Sequence, residues 1–191
     1  DWNRTYAAFR LESERFPGLT AKDGSYSKQE FIDLQRMGLE YGVRIIPEID
    51  IPAHSLAFAH YKPEIASRKY GMDHLVGSEM CIRDRDHLDL YKKETYQFVD
   101  SLLDEYLSGD NPVFIGDLHI GTDEYNKKEA EQYRYFTDRY LKFVEKYGKN
   151  VRMWGGLKWL PGKTPVKAEG VTVNAWSYDW VDPVVSLQEG Y

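Results

Sequence analysis

The stretch "FIGDLHIGTDEY", residues 114–125, runs an apolar segment into a histidine and then the adjacent pair Asp123-Glu124. Upstream, "IIPEIDIPAHS" sets Asp50 and His54 four residues apart behind a second apolar run. Carboxylates and imidazoles so placed can move protons, hold a polar substrate or bind a cation. Two acids adjacent in sequence cannot flank a glycosidic bond as the usual pair does, because those partners stand about 5–5.5 or 6.5–9.5 Å apart across the bond. Neighbouring side chains point different ways. The pair therefore suits a division of labour, in which one carboxyl protonates a leaving oxygen while the other orients a different part of the substrate.

The elements that must hold these residues can be read from periodicity. Four β-rich runs stand out: "GVRIIPEID" (42–50), "PVFIGDLHIG" (112–121), "NVRMWGG" (150–156) and "GVTVNAWS" (170–177). Each is nearly continuous in apolar character, which predicts strands of a parallel sheet covered on both faces. Helical patterns lie between them. "SKQEFIDLQRMGLEYG" opens with Ser27 and carries Glu30 three residues on, the spacing of a capping box, and sets Phe31, Leu34 and Leu39 on one side. "ETYQFVDSLLDEYLSG" and "KKEAEQYRYFTDRYLKFVEKYG" repeat the apolar spacing, and each stops at a glycine.

Alternating helix and strand leaves an open doubly wound sheet or a barrel. Asp50 and His54 follow the first run, Asp123 and Glu124 the second, Trp154 the third and Trp176 the fourth. Functional types gathered at successive strand ends point to an α/β fold, an incomplete (β/α)₈ TIM barrel, since a whole barrel takes about 250 residues. No Gly-rich phosphate loop follows any strand, which weighs against a dinucleotide fold.

Composition narrows the partners. The 191 residues are 42% hydrophobic and 15% aromatic, and the net charge is −6 with both signs interspersed. No basic stripe is present to track a phosphate backbone, so nucleic acid is not an expected partner. No apolar run reaches the ~20 residues of a membrane span. The single cysteine, Cys81, cannot form an internal disulfide. It lies in "VGSEMCIRDR" (76–85), between two Asp-His-Leu repeats. That segment resembles translated sequencing-adapter DNA and is read as an artefactual insert, the alternative being a surface-loop insertion.

"IIPEIDIPAHS" followed by "HIGTDEY" resembles the paired signatures of family 20 glycoside hydrolases, the β-N-acetylhexosaminidases and lacto-N-biosidases. "MWGG" and "VNAWSYDW" fall where that family places substrate-lining tryptophans. One departure is Thr122, where many members carry a second glycine. The resemblance implies a retaining, substrate-assisted mechanism, in which the sugar's 2-acetamido oxygen attacks its own anomeric carbon to give an oxazolinium. It makes Glu124 the acid and later the base, and Asp123 the acceptor of the acetamido N–H. Asp50, His54 and His119 become a supporting polar shell, and Trp154 and Trp176 walls of the acetamido pocket. It implies no cofactor and no metal, and β-linked N-acetylhexosamine or lacto-N-biose glycans as substrates. It places the parent bacterial protein outside the cell or on its surface.

The family's sugar-gripping Arg on the first strand, and a Tyr and an Asp beyond the last strand, are expected to lie outside these 191 residues. The polypeptide as written is accordingly expected to be poorly stable and inactive. Plainer readings stand beside these. Asp123-Glu124 could start a helix, Asp50 could be a loop acid and His54 a residue bonding locally at a helix start. Trp159 and Trp180 are read as core, and Arg10 either as a sugar contact or as half of a surface ion pair. Two rival functions remain open. One is a metal-dependent barrel hydrolase using Asp50, His54, His119, Asp123 and Glu124, and the other is a non-catalytic carbohydrate-binding relative.

Overall fold

A computed structural model describes residues 8–68 and 86–191, so the suspected insert at 76–85, with Cys81, lies outside the described residues. The chain forms two compact units. The first runs to Ile45 and resumes from His54 to Ile115, and the second comprises Ile46–Ala53 and Gly116–Tyr191.

The first unit is helical. Helix α1 (Lys28–Glu40) begins at the predicted capping box, with the Ser27 hydroxyl accepting from the Glu30 N–H and the Glu30 carboxylate accepting from the Ser27 N–H. Its buried face is only partly the expected one, since Phe31 and Leu34 are half-buried, with Phe31 against Phe114. Leu39 is 54% exposed, whereas Gln35 and Gly38 are buried. The Gln35 amide reaches into the interior, donating to the Val113 carbonyl at 2.7 Å and accepting from the Ile115 N–H at 3.2 Å. A polar side chain thus satisfies backbone groups that no strand pairs there. Gly38 lets the Val43 carbonyl approach to where a Cβ would lie 2.7 Å from it.

After the short helix α2 (Leu56–Tyr61), α3 (Lys93–Leu107) buries Phe98, Val99, Leu102, Leu103 and Tyr106 at the spacing expected of an amphipathic helix. An aromatic core surrounds it, with Phe98 against Phe16 and Phe58 and Tyr106 against Phe9 and Phe114. On the same helix Glu105 ties down the N-terminal segment, accepting from the Ser13 hydroxyl and the Glu14 N–H and pairing with Lys28. Arg10 is in the ion pair rather than held out for a ligand: its guanidinium meets both Asp23 oxygens, at 3.0 and 3.2 Å.

The second unit contains a four-stranded parallel sheet in the order β1 (Glu48–Ile51), β2 (Leu118–Gly121), β3 (Val151–Trp154), β4 (Val171–Asn174). The strands are four residues each, shorter than the apolar runs that announced them, and their two faces are unlike. Ile49, Ile51, Leu118, Ile120, Val151, Met153 and Val171 share one buried face. The alternate positions carry Glu48, Asp50, His119, Arg152, Trp154, Thr172 and Asn174. The expectation of strands apolar on both faces is thus corrected. Polar residues every second position were masked by the isoleucines, leucines and valines between them, and by flanking apolar loop residues.

Helix α4 (Ala130–Glu145) packs on β2 and β3 and buries Tyr133, Phe136, Tyr140, Leu141 and Val144. Its first turn also fastens the loop after β3. Glu131 accepts from the Lys163 N–H (2.6 Å), the Thr164 N–H (2.8 Å) and the Thr164 hydroxyl (2.6 Å). The Thr164 hydroxyl, and then the two backbone donors, hold the Glu131 carboxyl down at about 2. A depressed carboxyl stabilises this loop above its ordinary value near 4.5 and ceases to do so as pH falls through about 2. Acidification from pH 5 to about 2 is therefore expected to release residues 157–165, seen as a change in Trp159 fluorescence. Glu131→Gln should flatten that transition. An unchanged profile would show that the clamp does not hold the loop. No helix among the described residues is long and apolar enough to cross a membrane.

Candidate active site

The polar face and the loops that leave it bring most of the predicted residues into the second unit. Asp50 and His119 lie within β1 and β2, Trp154 ends β3, Asp123-Glu124 follow β2 and Trp176 follows β4. Asp50 and Trp154 are thus parts of strands rather than of the loops beyond them, and His119 lies in β2 as its run implied. The two acids do not start a helix. The next helical turn begins at Lys127, where the Asn126 side chain accepts from the Lys128 N–H, so the capping role is filled elsewhere.

Asp50 is seated by a glycine. Gly121 has φ +70°, and a Cβ there would lie 1.8 Å from Asp50 Oδ1 and 2.7 Å from Asp50 Cα. Only a residue without a side chain lets β2 pass so close to this carboxylate. Thr122 follows, with φ +65°. Its N–H donates to the Ile51 carbonyl at 3.1 Å and its hydroxyl to the Gly121 carbonyl at 2.6 Å. Asp123 and Glu124 then emerge half-buried.

His119 is buried, and its Nδ1 accepts from the Gly121 N–H at 3.0 Å, which fixes the proton on Nε2. Burial is the main cause of its depressed basicity. Arg152 adds to it and Asp123 opposes, leaving the imidazole at about 4 and neutral at ordinary pH. The Arg152 charge is itself committed to Asp117, whose Oδ2 takes Nε at 2.9 Å and Nη2 at 2.8 Å. With Nδ1 accepting and Nε2 protonated, His119 offers a hydrogen-bond donor rather than a lone pair from Nε2.

Glu48 was not singled out from the sequence, yet it anchors an aromatic wall. Its Oε1 accepts from Trp154 Nε1 at 2.7 Å and lies 3.7 Å from His119 Nδ1, and the His119 and Trp154 rings sit 4.7 Å apart. The signal was present in "PEID", since Glu48 and Asp50 are two apart and share a strand face. Trp176 is 40% exposed and donates from Nε1 to the Gly155 carbonyl at 3.0 Å. Trp159 and Trp180, expected in the core, are half-buried and extend a stack from Trp176, with centroids 5.4 Å apart for Trp176–Trp180 and 4.8 Å for Trp159–Trp180.

His54 belongs to the first unit. It has φ +50° just ahead of α2, and its Nδ1 lies 3.8 Å from Asp86 Oδ2, while the other Asp86 oxygen is 2.7 Å from His87 Nδ1.

Parallel βα units whose polar sheet face and strand ends collect carboxylates, a neutral histidine and indoles define a chain of the (β/α)-barrel class. Within that class the chain belongs to glycosyl hydrolase family 20, whose catalytic-domain model matches residues 5–187. It is similar to a beta-hexosaminidase of Porphyromonas gingivalis, with 25% identity over 211 residues, covering 88% of this chain and 24% of that protein. Beta-hexosaminidase subunit A1 of Dictyostelium discoideum is 29% identical over 122 residues, covering 61% of this chain and 21% of its own length. Among solved structures, Flavobacterium johnsoniae chitobiase superposes with a TM-score of 0.74 at 22% identity, covering 96% of this chain and 30% of that one. A mutant Streptomyces plicatus beta-hexosaminidase in complex with product (GlcNAc) gives 0.70 at 24% identity, covering 95% and 37%. The chain thus spans about a quarter of the length of these curated relatives.

Proposed function

We propose that the protein carrying this domain hydrolyses terminal β-linked N-acetylhexosamine from glycans, with retention and with the substrate's own acetamido group as nucleophile. The observation that carries the reading is the turn after β2, which presents Asp123 and Glu124 side by side, with the neutral His119 and the indole of Trp154 on the adjoining strands. Adjacent acids cannot face each other across the scissile bond as a nucleophile–acid pair does, and membership of family 20 supports a nucleophile supplied by the substrate. The acetamido oxygen bonds to the anomeric carbon as the glycosidic bond breaks, and the Glu124 proton goes to the leaving oxygen. Asp123 accepts the acetamido N–H and stabilises the positive charge that grows on it. Water, deprotonated by Glu124, then opens the oxazolinium. Holding an internal nucleophile in line is a proximity effect, and Trp154 and Trp176 supply flat apolar walls for it.

The test compares an aryl β-N-acetylglucosaminide with the matching plain β-glucoside, using the complete polypeptide encoded by the source gene. Cleavage confined to the acetamido sugar, and surviving a metal chelator, is the expected result. Equal cleavage of both sugars would defeat the substrate-assisted reading, and loss of activity to the chelator would favour the metal-dependent rival. Cleavage only of an aryl lacto-N-bioside would move the specificity to the disaccharide, and cleavage of none would favour a binding module.

A further inference from the structure

We infer that Tyr133 is a positioning residue for Asp123, acting through the backbone of Thr122. The inference rests on the role proposed above for Asp123. Thr122 is β-branched and fully buried, yet it sits at φ +65°, in the left-handed region that such residues avoid. A conformation of that kind persists only where its surroundings fix it. Here the Ile51 carbonyl takes the Thr122 N–H, the Gly121 carbonyl takes its hydroxyl, and the Tyr133 hydroxyl donates to its carbonyl.

The third of these comes from outside the turn. Tyr133 is fully buried on α4, which packs on β2 and β3, and its ring stacks on Tyr125 at 6.0 Å and 22°. Burial raises its phenol well above the ordinary value, so it remains a donor across the working pH range. Gly156 closes the arrangement from the β3 side. A Cβ there would lie 3.1 Å from the Tyr133 hydroxyl, 3.2 Å from the Thr122 carbonyl and 3.8 Å from Asp123 Cα. The peptide that Tyr133 grips is the one joining Thr122 to Asp123, so a rotation of that peptide re-aims the Asp123 carboxylate.

An ordinary core tyrosine would affect only stability, and the two roles separate cleanly. In the complete polypeptide, Tyr133→Phe is expected to lower kcat on an aryl β-N-acetylglucosaminide about tenfold to a hundredfold with KM little changed, as a misaimed orienting group does. Glycine adopts positive φ without a clamp. In a Thr122→Gly background the same Tyr133→Phe change should therefore cost less than about threefold, a coupling that independent sites do not show. A crystal structure of Tyr133→Phe should find Thr122 out of the left-handed region, a readout that holds whether or not the proposed activity is correct. If Tyr133→Phe does not fold, Gly156→Ala, which wedges the Tyr133 hydroxyl from the Thr122 carbonyl, should give the same kcat loss. Thr122 keeping its φ in Tyr133→Phe, or losses that simply multiply in the double variant, would overturn the inference.

Discussion

Replacing Glu124 by Gln is expected to lower kcat for an aryl β-N-acetylglucosaminide by about 10²–10⁴ with KM nearly unchanged, the range that general acid–base catalysis supplies. The change keeps the size of the side chain and removes only its proton chemistry. Glu124 sits half-buried in the loop after β2, outside the packed face of the sheet, so the fold should not move. The loss should also depend on the leaving group. An aryl group acidic enough to depart unaided gains little from a proton donor, so its bond cleavage should be spared, and the second step, in which Glu124 takes a proton from water, should then limit the rate. Asp123→Asn should fail differently, because the role proposed for Asp123 is to stabilise charge on the acetamide whatever the leaving group. Full activity in Glu124→Gln, or a loss in kcat/KM, which reports the bond-breaking step, that is independent of the leaving group, would remove Glu124 from the acid's role.

A division of labour between the adjacent acids could be framed from the sequence, because adjacency is a sequence property, whereas the role expected of each acid came from the resemblance to family 20. The helices were legible for a similar reason. Caps such as Ser27 with Glu30, and the 133, 136, 140, 144 spacing of α4, are local codes that the backbone reads directly. The faces of the strands were harder. Glu48 and Asp50 alternate with Ile49 and Ile51, but the strand has only four residues, and flanking apolar loop residues made the run look continuous. Burial by distant partners was not legible at all. Gln35 lies inside, where its amide meets the Val113 and Ile115 backbones, while Leu39 is left at the surface. Tyr133 carries no motif, and its link to Thr122 exists only once α4 has packed on the sheet. Trp159 and Trp180 looked like core because aromatics usually are, whereas here they stack in loops after β3 and β4.

Gly121→Ala should be the most damaging single methyl in the second unit. The backbone at φ +70° charges about 1–2 kcal/mol to any side chain, and forcing extra volume into a packed site adds about 1–3 kcal/mol. A new Asp50 rotamer cannot relieve the clash. The added carbon would stand 2.4 Å from the Asp50 carboxyl carbon, but also 2.7 Å from its Cα, so β1 itself must give way against β2. That shift would carry Asp50 out of place and strain the neighbouring bonds from the Gly121 N–H to His119 and from the Thr122 N–H to Ile51. Thermal unfolding should therefore show a midpoint several degrees lower, and the activity remaining below that midpoint should still fall sharply. Gly116→Ala provides the control, since a Cβ there meets nothing within 4 Å, and its midpoint and turnover should match the parent. If Gly121→Ala instead behaved like Gly116→Ala, β1 and β2 would not approach at Asp50, and the seating of that carboxylate would have to come from elsewhere.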